Sequence, residues 1–402
     1  REKFAKFAGV YDPIQTCIAW NTIYEASKDR VVSPVSRIWN VGNGGYVLFC
    51  WDTFFAASLA AIDNKELAYA NAIEILNEAV EDGFVPNTSS GTGFKTRDRS
   101  QPPVGAITTL QIYKKFKEKW FLEKNFGPLL RWNRWWIKNR DTNGLLCWGS
   151  NYYQPQIGNE WETADKGVHG RFGASLESGL DNSPMYDDIP FDKNRNQLCL
   201  HDAGLNGLYV ADCQALAKIA EILKRKKETE ELQLRADFYK ENCKRLWSEK
   251  DGIFLNRRTD TGRFSRRISP TNFYPMLGKV PTQIQVERMM KEYFRNPAKF
   301  AGEWIMPSIS RDDKAYKDQD YWRGRIWAPM NYLVYLGMRN YDLPYDRKII
   351  AERSKKLLLK EWLQKGHVHE NYCADTGEGC NKHNSDRFYH WGGLFGLIAI
   401  LE

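Results

Sequence analysis

Asp82-Gly83-Phe84-Val85, Asn143-Gly144-Leu145-Leu146 and Asp251-Gly252-Ile253-Phe254 spell the same turn three times. In each, an Asp or Asn and a Gly close a helical stretch, and two apolar residues follow. Glycine supplies the positive-φ step after a helix, and the apolar pair sends the chain back toward the core. Looser copies stand at Ala301-Gly302-Glu303-Trp304 and Lys365-Gly366-His367-Val368. The intervals between the five glycines are 61, 108, 50 and 64 residues. All but the second have the length of a helical hairpin with its loop, and the second fits one such unit carrying an insertion. A repeat of this period indicates stacked helix pairs. Dividing the 402 residues by six gives 67, which fits six pairs closing into a ring. The fold expected is all-α, an (α/α)6 toroid in a single domain over residues 1–402. It is preferred to an open helical array because the polar and aromatic loops recur on one side of each pair.

Between the turns, apolar residues recur at helical spacing. In Lys65 to Val80, Leu67, Ala70, Ile73, Leu76 and Val80 form one stripe. The same periodicity predicts helices in Val104 to Trp120, Leu122 to Asn139, Ala203 to Lys226, Leu232 to Trp247, Gln283 to Phe294, Tyr321 to Arg339, Arg347 to Leu363 and Phe388 to Leu401. The insertion, Gly149 to Asn196, has little helical period. It holds Asn151-Tyr152-Tyr153, Glu160-Trp161-Glu162 and the acidic stretch from Glu177 to Asp188. A long loop inside a compact domain is usually functional, so chemistry is sought there first.

Composition narrows the classes. Apolar residues make up 42% and charged residues 27%, a globular balance, and no apolar run reaches the roughly 20 residues of a membrane span. The net charge of +8 is spread along the chain rather than gathered in a stripe, which disfavours nucleic acid as a partner. The eight Cys form no C-x-x-C pair and no Cys/His zinc spacing. They leave the compartment open, with a periplasmic or secreted location favoured. The chain starts at Arg1 with no apolar leader behind it, as expected of a processed or cut chain with an upstream domain missing. Aromatic residues reach 14%, with 15 Trp. Ring faces stack on pyranose C–H faces, so a sugar cleft competes with core packing as the explanation.

Two carboxylates stand out. Asp181, in Glu177-Ser178-Gly179-Leu180-Asp181-Asn182-Ser183-Pro184, sits in a Gly/Pro-bounded turn. It reads as a proton donor if burial raises its pKa, and otherwise as a cap. Glu370, in His367-Val368-His369-Glu370-Asn371-Tyr372, follows the last glycine turn and so falls on the same rim. Glycoside hydrolysis uses such a pair, closer together for retention and further apart for inversion, where a water must fit. The two histidines beside Glu370 lack the helical H-E-x-x-H spacing of a zinc site, so no metal is assigned. Further rim segments put rings beside polar groups at helix entrances: Trp51-Asp52-Thr53-Phe54-Phe55, Arg97 to Pro103, Tyr321-Trp322-Arg323-Gly324-Arg325-Ile326-Trp327 and His390-Trp391-Gly392-Gly393. Asp52 alone reads either as a ligand of sugar hydroxyls or as a helix-dipole partner.

Together these segments resemble glycoside hydrolase family sixty-three, which contains processing α-glucosidase I, bacterial α-glucosidases and mannosylglycerate hydrolases. The resemblance rests on Trp51 to Phe55, Gln101-Pro102-Pro103, Glu177 to Pro184, Tyr321 to Trp327, and Glu370-Asn371-Tyr372 followed by Thr376-Gly377-Glu378. It spans the chain from about residue 20 to the end. It implies an (α/α)6 barrel and inverting hydrolysis, with Asp181 as general acid and Glu370 as general base. It further implies that Trp51, Asp52, Phe54, Gln101, Gly179, Tyr321, Trp322, Gly324, Trp327 and Trp391 line the subsite of the cleaved sugar. Some relatives bind calcium beside a turn that Asp141-Thr142-Asn143 resembles in part. A plain Asn-Gly turn is preferred here, and no cofactor is required. The expected activity is an exo-acting α-glycosidase on an oligosaccharide or small glycoside, α-glucosidase ahead of mannosylglycerate hydrolase. A toroid polysaccharide lyase and a noncatalytic glycan-binding protein are the alternatives from other classes.

Overall fold

The inner wall of the molecule is made by segments that are apolar on every side. All eleven residues of Cys50–Ala60 are buried, as are all eleven of Ala328–Met338. A helix buried all round belongs inside a core. In the computed structural model, which describes residues 8–42, 45–153, 169–379 and 385–402, these two and four further segments, largely buried, follow one another around a ring. They are Cys50–Ala60, Gly105–Phe116, Ala203–Ile222, the 3-10 helix Pro270–Met276, Ala328–Met338 and Leu394–Leu401. Each packs against the next, and Leu394–Leu401 returns to Cys50–Ala60, so the ring is closed rather than an open array.

Outside lie Lys65–Asn77, Lys119–Arg140, Lys226–Cys243, Gln283–Met289, Pro344–Lys365 and Ala8–Asn21. These are one-faced helices: Lys226–Cys243 buries only Leu232, Ala236, Tyr239 and Cys243. Gln283–Met289 runs on as a π-helical turn, Met290–Phe294, so the expected helix through Phe294 is present with a change of pitch. The sixth pair joins distant parts of the chain, since Ala8–Asn21 packs on His390–Gly393 and Leu394–Leu401. The architecture is the (α/α)6 toroid. Among the described residues, no helix is long and apolar enough to cross a membrane.

The glycine turns take the expected backbone at four of five positions: φ is +94° at Gly83, +78° at Gly144, +67° at Gly252 and +66° at Gly366. Gly366 alone caps a helix directly, its N–H reaching the Trp362 carbonyl. Gly144 and Gly252 sit one step later, in the Asp141–Thr142/Leu145–Leu146 and Trp247–Ser248/Ile253–Phe254 hairpins. Gly302 departs from the pattern, and the space beside its Cα is filled by the Arg311 guanidinium.

A second departure concerns Tyr321 to Arg339. Helix begins only at Ala328. Tyr321 and Gly324 have positive φ, residues 320–323 form a tight turn, and Ile326–Trp327 pairs as a strand with Asn371–Tyr372, so the segment is turn and strand before Pro329 starts the helix. Asp141-Thr142-Asn143 is likewise a hairpin turn. The Asp141 carboxylate accepts the Gly144 N–H (3.2 Å) and the Tyr239 hydroxyl (2.7 Å).

The insertion is more ordered than its sequence suggests. It contains the helix Arg171–Glu177, the turn Pro184–Tyr186 and the hairpin of Phe191–Asp192 with Gln197–Leu198. Glu160-Trp161-Glu162 lies outside the described residues. Of the eight cysteines, Cys380 also lies outside them, and the other seven are free thiols.

Candidate active site

Glu370 and Trp327 are brought together by the short ribbon of Ile326–Trp327 with Asn371–Tyr372, in which Trp327 faces Asn371. Trp322 lies flat on Trp327, with ring centres 3.6 Å apart and planes within 9°. Trp391 stands edge-on to both, 6.2 and 5.6 Å away, and Trp51 lies 6.0 Å from Trp391 and 6.3 Å from Trp322. Four tryptophans from three separate sequence segments thus form one wall, all of them almost fully buried.

The carboxylates gather at this wall. Glu370 accepts the Tyr321 hydroxyl on Oε1 (3.0 Å) and the Asp386 backbone N–H on Oε2 (3.2 Å), while the Trp391 indole N–H bonds its backbone carbonyl (2.9 Å). Burial pushes the Glu370 carboxyl well above its usual range; the charges of Asp386 and Asp181 add to this, and the Asp386 and Tyr321 donors oppose it. Asp181 is raised to about 6 by burial, against the pull of the Arg99 guanidinium. Asp52, in the first turn of the inner helix Cys50–Ala60, is raised to about 8 by burial, opposed by the Tyr389 hydroxyl on its Oδ1 (2.7 Å) and reinforced by Asp181. Tyr321 lies in the field of Glu370, Asp181 and Asp52 together. The Asp181 charge reaches Glu370, and both act on Tyr321, so the two carboxyls face one bowl.

The other expected residues take distinct places. The Gln101 side-chain Oε1 accepts the Trp51 backbone N–H (3.2 Å), satisfying an orphan donor at the helix start. Gly179 has φ +70° and lies against the Trp51 ring, leaving no room for a side chain. Gly324, at φ +101°, backs onto Tyr316 and Gln319 in the turn that carries Tyr321 and Trp322. Phe54 stacks on Trp132 in the wall between the first two hairpins, which is a packing position. His369, beside Glu370, pairs with Glu361 (Nε2 to Oε2, 3.3 Å), and burial lowers its imidazole to about 3. Among the described residues, no three His, Cys, Asp or Glu side chains cluster so as to hold a metal ion.

Several contributors escaped the sequence reading. Tyr389 directly precedes the quoted His390-Trp391 motif. Asp386 forms part of the Glu370 surroundings and is tied to Ser36 (2.8 Å). Glu177, four residues before Asp181, is fully buried and bidentate with Arg140 (2.6 and 2.8 Å), and it also accepts the backbone N–H groups of Ser100 (3.1 Å) and Gly149 (2.6 Å). That one carboxylate fastens the outer helix Lys119–Arg140, the Gln101 segment and the start of the insertion to the Asp181 loop. A buried arginine preceding a hairpin would have been the only signal for it.

A closed (α/α)6 ring with paired carboxyls set in an indole-lined bowl defines a glycoside hydrolase. Residues 45–392 match the mannosylglycerate hydrolase MGH1-like glycoside hydrolase domain, and the chain belongs to that family, within glycoside hydrolase family sixty-three. Mannosylglycerate hydrolase MGH1 of Selaginella moellendorffii is 22% identical over 87% of this chain and 78% of its own length. Glucosylglycerate hydrolase of Mycolicibacterium hassiacum is 23% identical over 82% of this chain and 87% of its own. The structure of the mannosylglycerate hydrolase from Thermus thermophilus in complex with glucose shares the fold, with a TM-score of 0.76 at 17% identity, covering 97% of this chain and 99% of that one.

Proposed function

We propose that the enzyme hydrolyses an α-glycoside of glyceric acid, mannosylglycerate or glucosylglycerate, with inversion at the anomeric carbon. The observation that carries the chemistry is the meeting of Asp181 and Glu370 at one tryptophan wall. Roles follow from the donors. Glu370 receives a hydrogen bond on each oxygen, the arrangement that favours the anion a base needs. Asp181, held up by burial, supplies the proton to the glycosidic oxygen, while Glu370 takes one from the water attacking the opposite face.

The substrate class rests on the relatives that align over three quarters or more of both this chain and their own length, which are named for glycerate glycosides; it displaces the α-glucosidase reading, which ranks second. The test is a hydrolysis screen over mannosylglycerate, glucosylglycerate, maltose and trehalose, with the released sugar followed by NMR. Release of the β-anomer from a glycerate glycoside is expected. A first product with the α-anomer rules out inversion, and activity confined to the disaccharides restores the glucosidase reading. Asp181→Asn and Glu370→Gln should each cut turnover by a factor of about a hundred or more, with unchanged denaturation profiles.

A further inference from the structure

Tyr321 occupies a backbone conformation that a bulky side chain rarely adopts. Asp320 and Arg323 exchange backbone hydrogen bonds (3.1 and 3.0 Å), leaving Tyr321 and Trp322 as the two tip residues of a tight turn. The first tip position has φ +54°, where glycine is the ordinary occupant. Strain of this kind persists only where the surroundings enforce it, and here it delivers a phenol to Glu370. The Tyr321 carbonyl is fixed by the Trp327 indole N–H (3.0 Å), and its ring packs edge-on to Trp327 with centres 4.9 Å apart.

The same turn is gripped from the other catalytic segment. Asn182, the neighbour of Asp181, uses both ends of its side-chain amide on it: Oδ1 accepts the Trp322 N–H (2.9 Å) and Nδ2 donates to the Asp320 carbonyl (3.3 Å). Arg323 adds a bond from its guanidinium to the Asn182 carbonyl (3.3 Å) and an ion pair with Asp187 (2.9 Å). A continuous path therefore runs from the Asp181 backbone through Asn182, the 320–323 turn and the Tyr321 hydroxyl to Glu370 Oε1. We propose that Asn182 and Tyr321 are positioning residues that act as a spacer, fixing where Glu370 stands relative to Asp181 and holding its charge in place for the incoming water.

This role rests on the reading of Glu370 as the base. The titratable groups facing Glu370 are Tyr321, Asp386, Asp181 and Tyr389, with Asp52 one step further across Tyr321. Of these, only the Tyr321 hydroxyl donates a side-chain hydrogen bond to the Glu370 carboxylate. Its loss disfavours the charged base.

The experiment is the pH profile of kcat/KM on mannosylglycerate, or on glucosylglycerate if that is the better substrate, for the whole chain. Tyr321→Phe, which keeps the ring packing, should move the acid limb to higher pH by about one unit, lowering the rate below that limb about tenfold with KM nearly constant. Asn182→Ala should lower kcat about tenfold or more at every pH, and the double variant should be no worse than Asn182→Ala alone, because both act through one path. An unmoved acid limb in Tyr321→Phe, or additive losses in the double variant, overturns the spacer. Glu370→Gln separates the two levels. If it is inactive while the limb stays put, only the spacer falls; if it retains activity, the base assignment falls and takes the spacer with it.

Discussion

Replacing Gly179 by alanine tests how tightly the loop of the proposed acid, Asp181, is seated on the tryptophan wall. Two costs can be worked out. The backbone at this position has φ +70°, a left-handed conformation that costs an L-residue about 1–2 kcal/mol. The added Cβ would stand 2.7 Å from Cζ2 and 2.9 Å from Cε2 of Trp51. Trp51 is 1% exposed and packed against the rings of Phe55, Trp322 and Trp391, so it must be displaced against those rings, and overpacking of this kind costs about 1–3 kcal/mol. Gly366 supplies the control. Its φ is +66°, but a Cβ there meets nothing within 4 Å, so Gly366→Ala bears the backbone cost alone. Urea denaturation should place Gly179→Ala about 1–3 kcal/mol below Gly366→Ala. Turnover should fall by about a hundredfold only in Gly179→Ala, since a displacement near 1 Å at the acid is sufficient for that. Equal stability of the two variants, or wild-type turnover in Gly179→Ala, would refute the claim that this glycine is required by contact with Trp51.

Other perturbations have equally definite outcomes. Arg140→Ala strands the Glu177 carboxylate in a fully buried site and should cost about 3–5 kcal/mol in denaturant unfolding; a loss under 1 kcal/mol would mean that water reaches Glu177. Asp52 has a folded-state pKa of about 8 against an unfolded value near 3.8, so the folded chain binds the extra proton between these limits. The stability contributed by neutral Asp52 is whole below the unfolded value and declines as pH rises toward 8. Asp52→Asn, which cannot ionise, should therefore gain stability relative to wild type on going from pH 5 to pH 9; a difference that does not change with pH contradicts the assignment. Asp386→Asn removes a charge that opposes ionisation of Glu370 and should shift the acid limb of kcat/KM to lower pH, opposite in sign to Tyr321→Phe. A shift in the same direction in both variants would point to general disturbance of the site.

What the sequence made legible was governed by local rules. Glycine punctuation and apolar periodicity marked both helices of three hairpins and one helix of each of the other three, because a positive φ and a buried stripe are written into neighbouring residues. The sixth pair joins Ala8–Asn21 to the residues around Trp391, and no local pattern states that two such distant segments meet. Pro13 inside the first helix also masks its signal. The false helix over Tyr321 to Trp327 arose because aromatic residues at helical spacing there serve the bowl instead, held by the 320–323 turn and by the pairing of Ile326–Trp327 with Asn371–Tyr372. Asp181, Glu370, Trp51 and Trp391 were visible as members of short motifs. Glu177, Asn182, Asp386 and Tyr389 were not singled out, although three of them adjoin or belong to those motifs, because their importance lies in which backbone groups and side chains they reach across the fold.

The pair of indoles at Trp322 and Trp327, parallel and 3.6 Å apart, has an optical consequence. Transition dipoles held face to face at that spacing couple, so the wall carries a chromophore of its own, distinct in geometry from the edge-on Trp135–Trp136 and Trp136–Trp148 pairs. Near-ultraviolet circular dichroism can thus follow a colourless, unlabelled ligand as it settles against the wall.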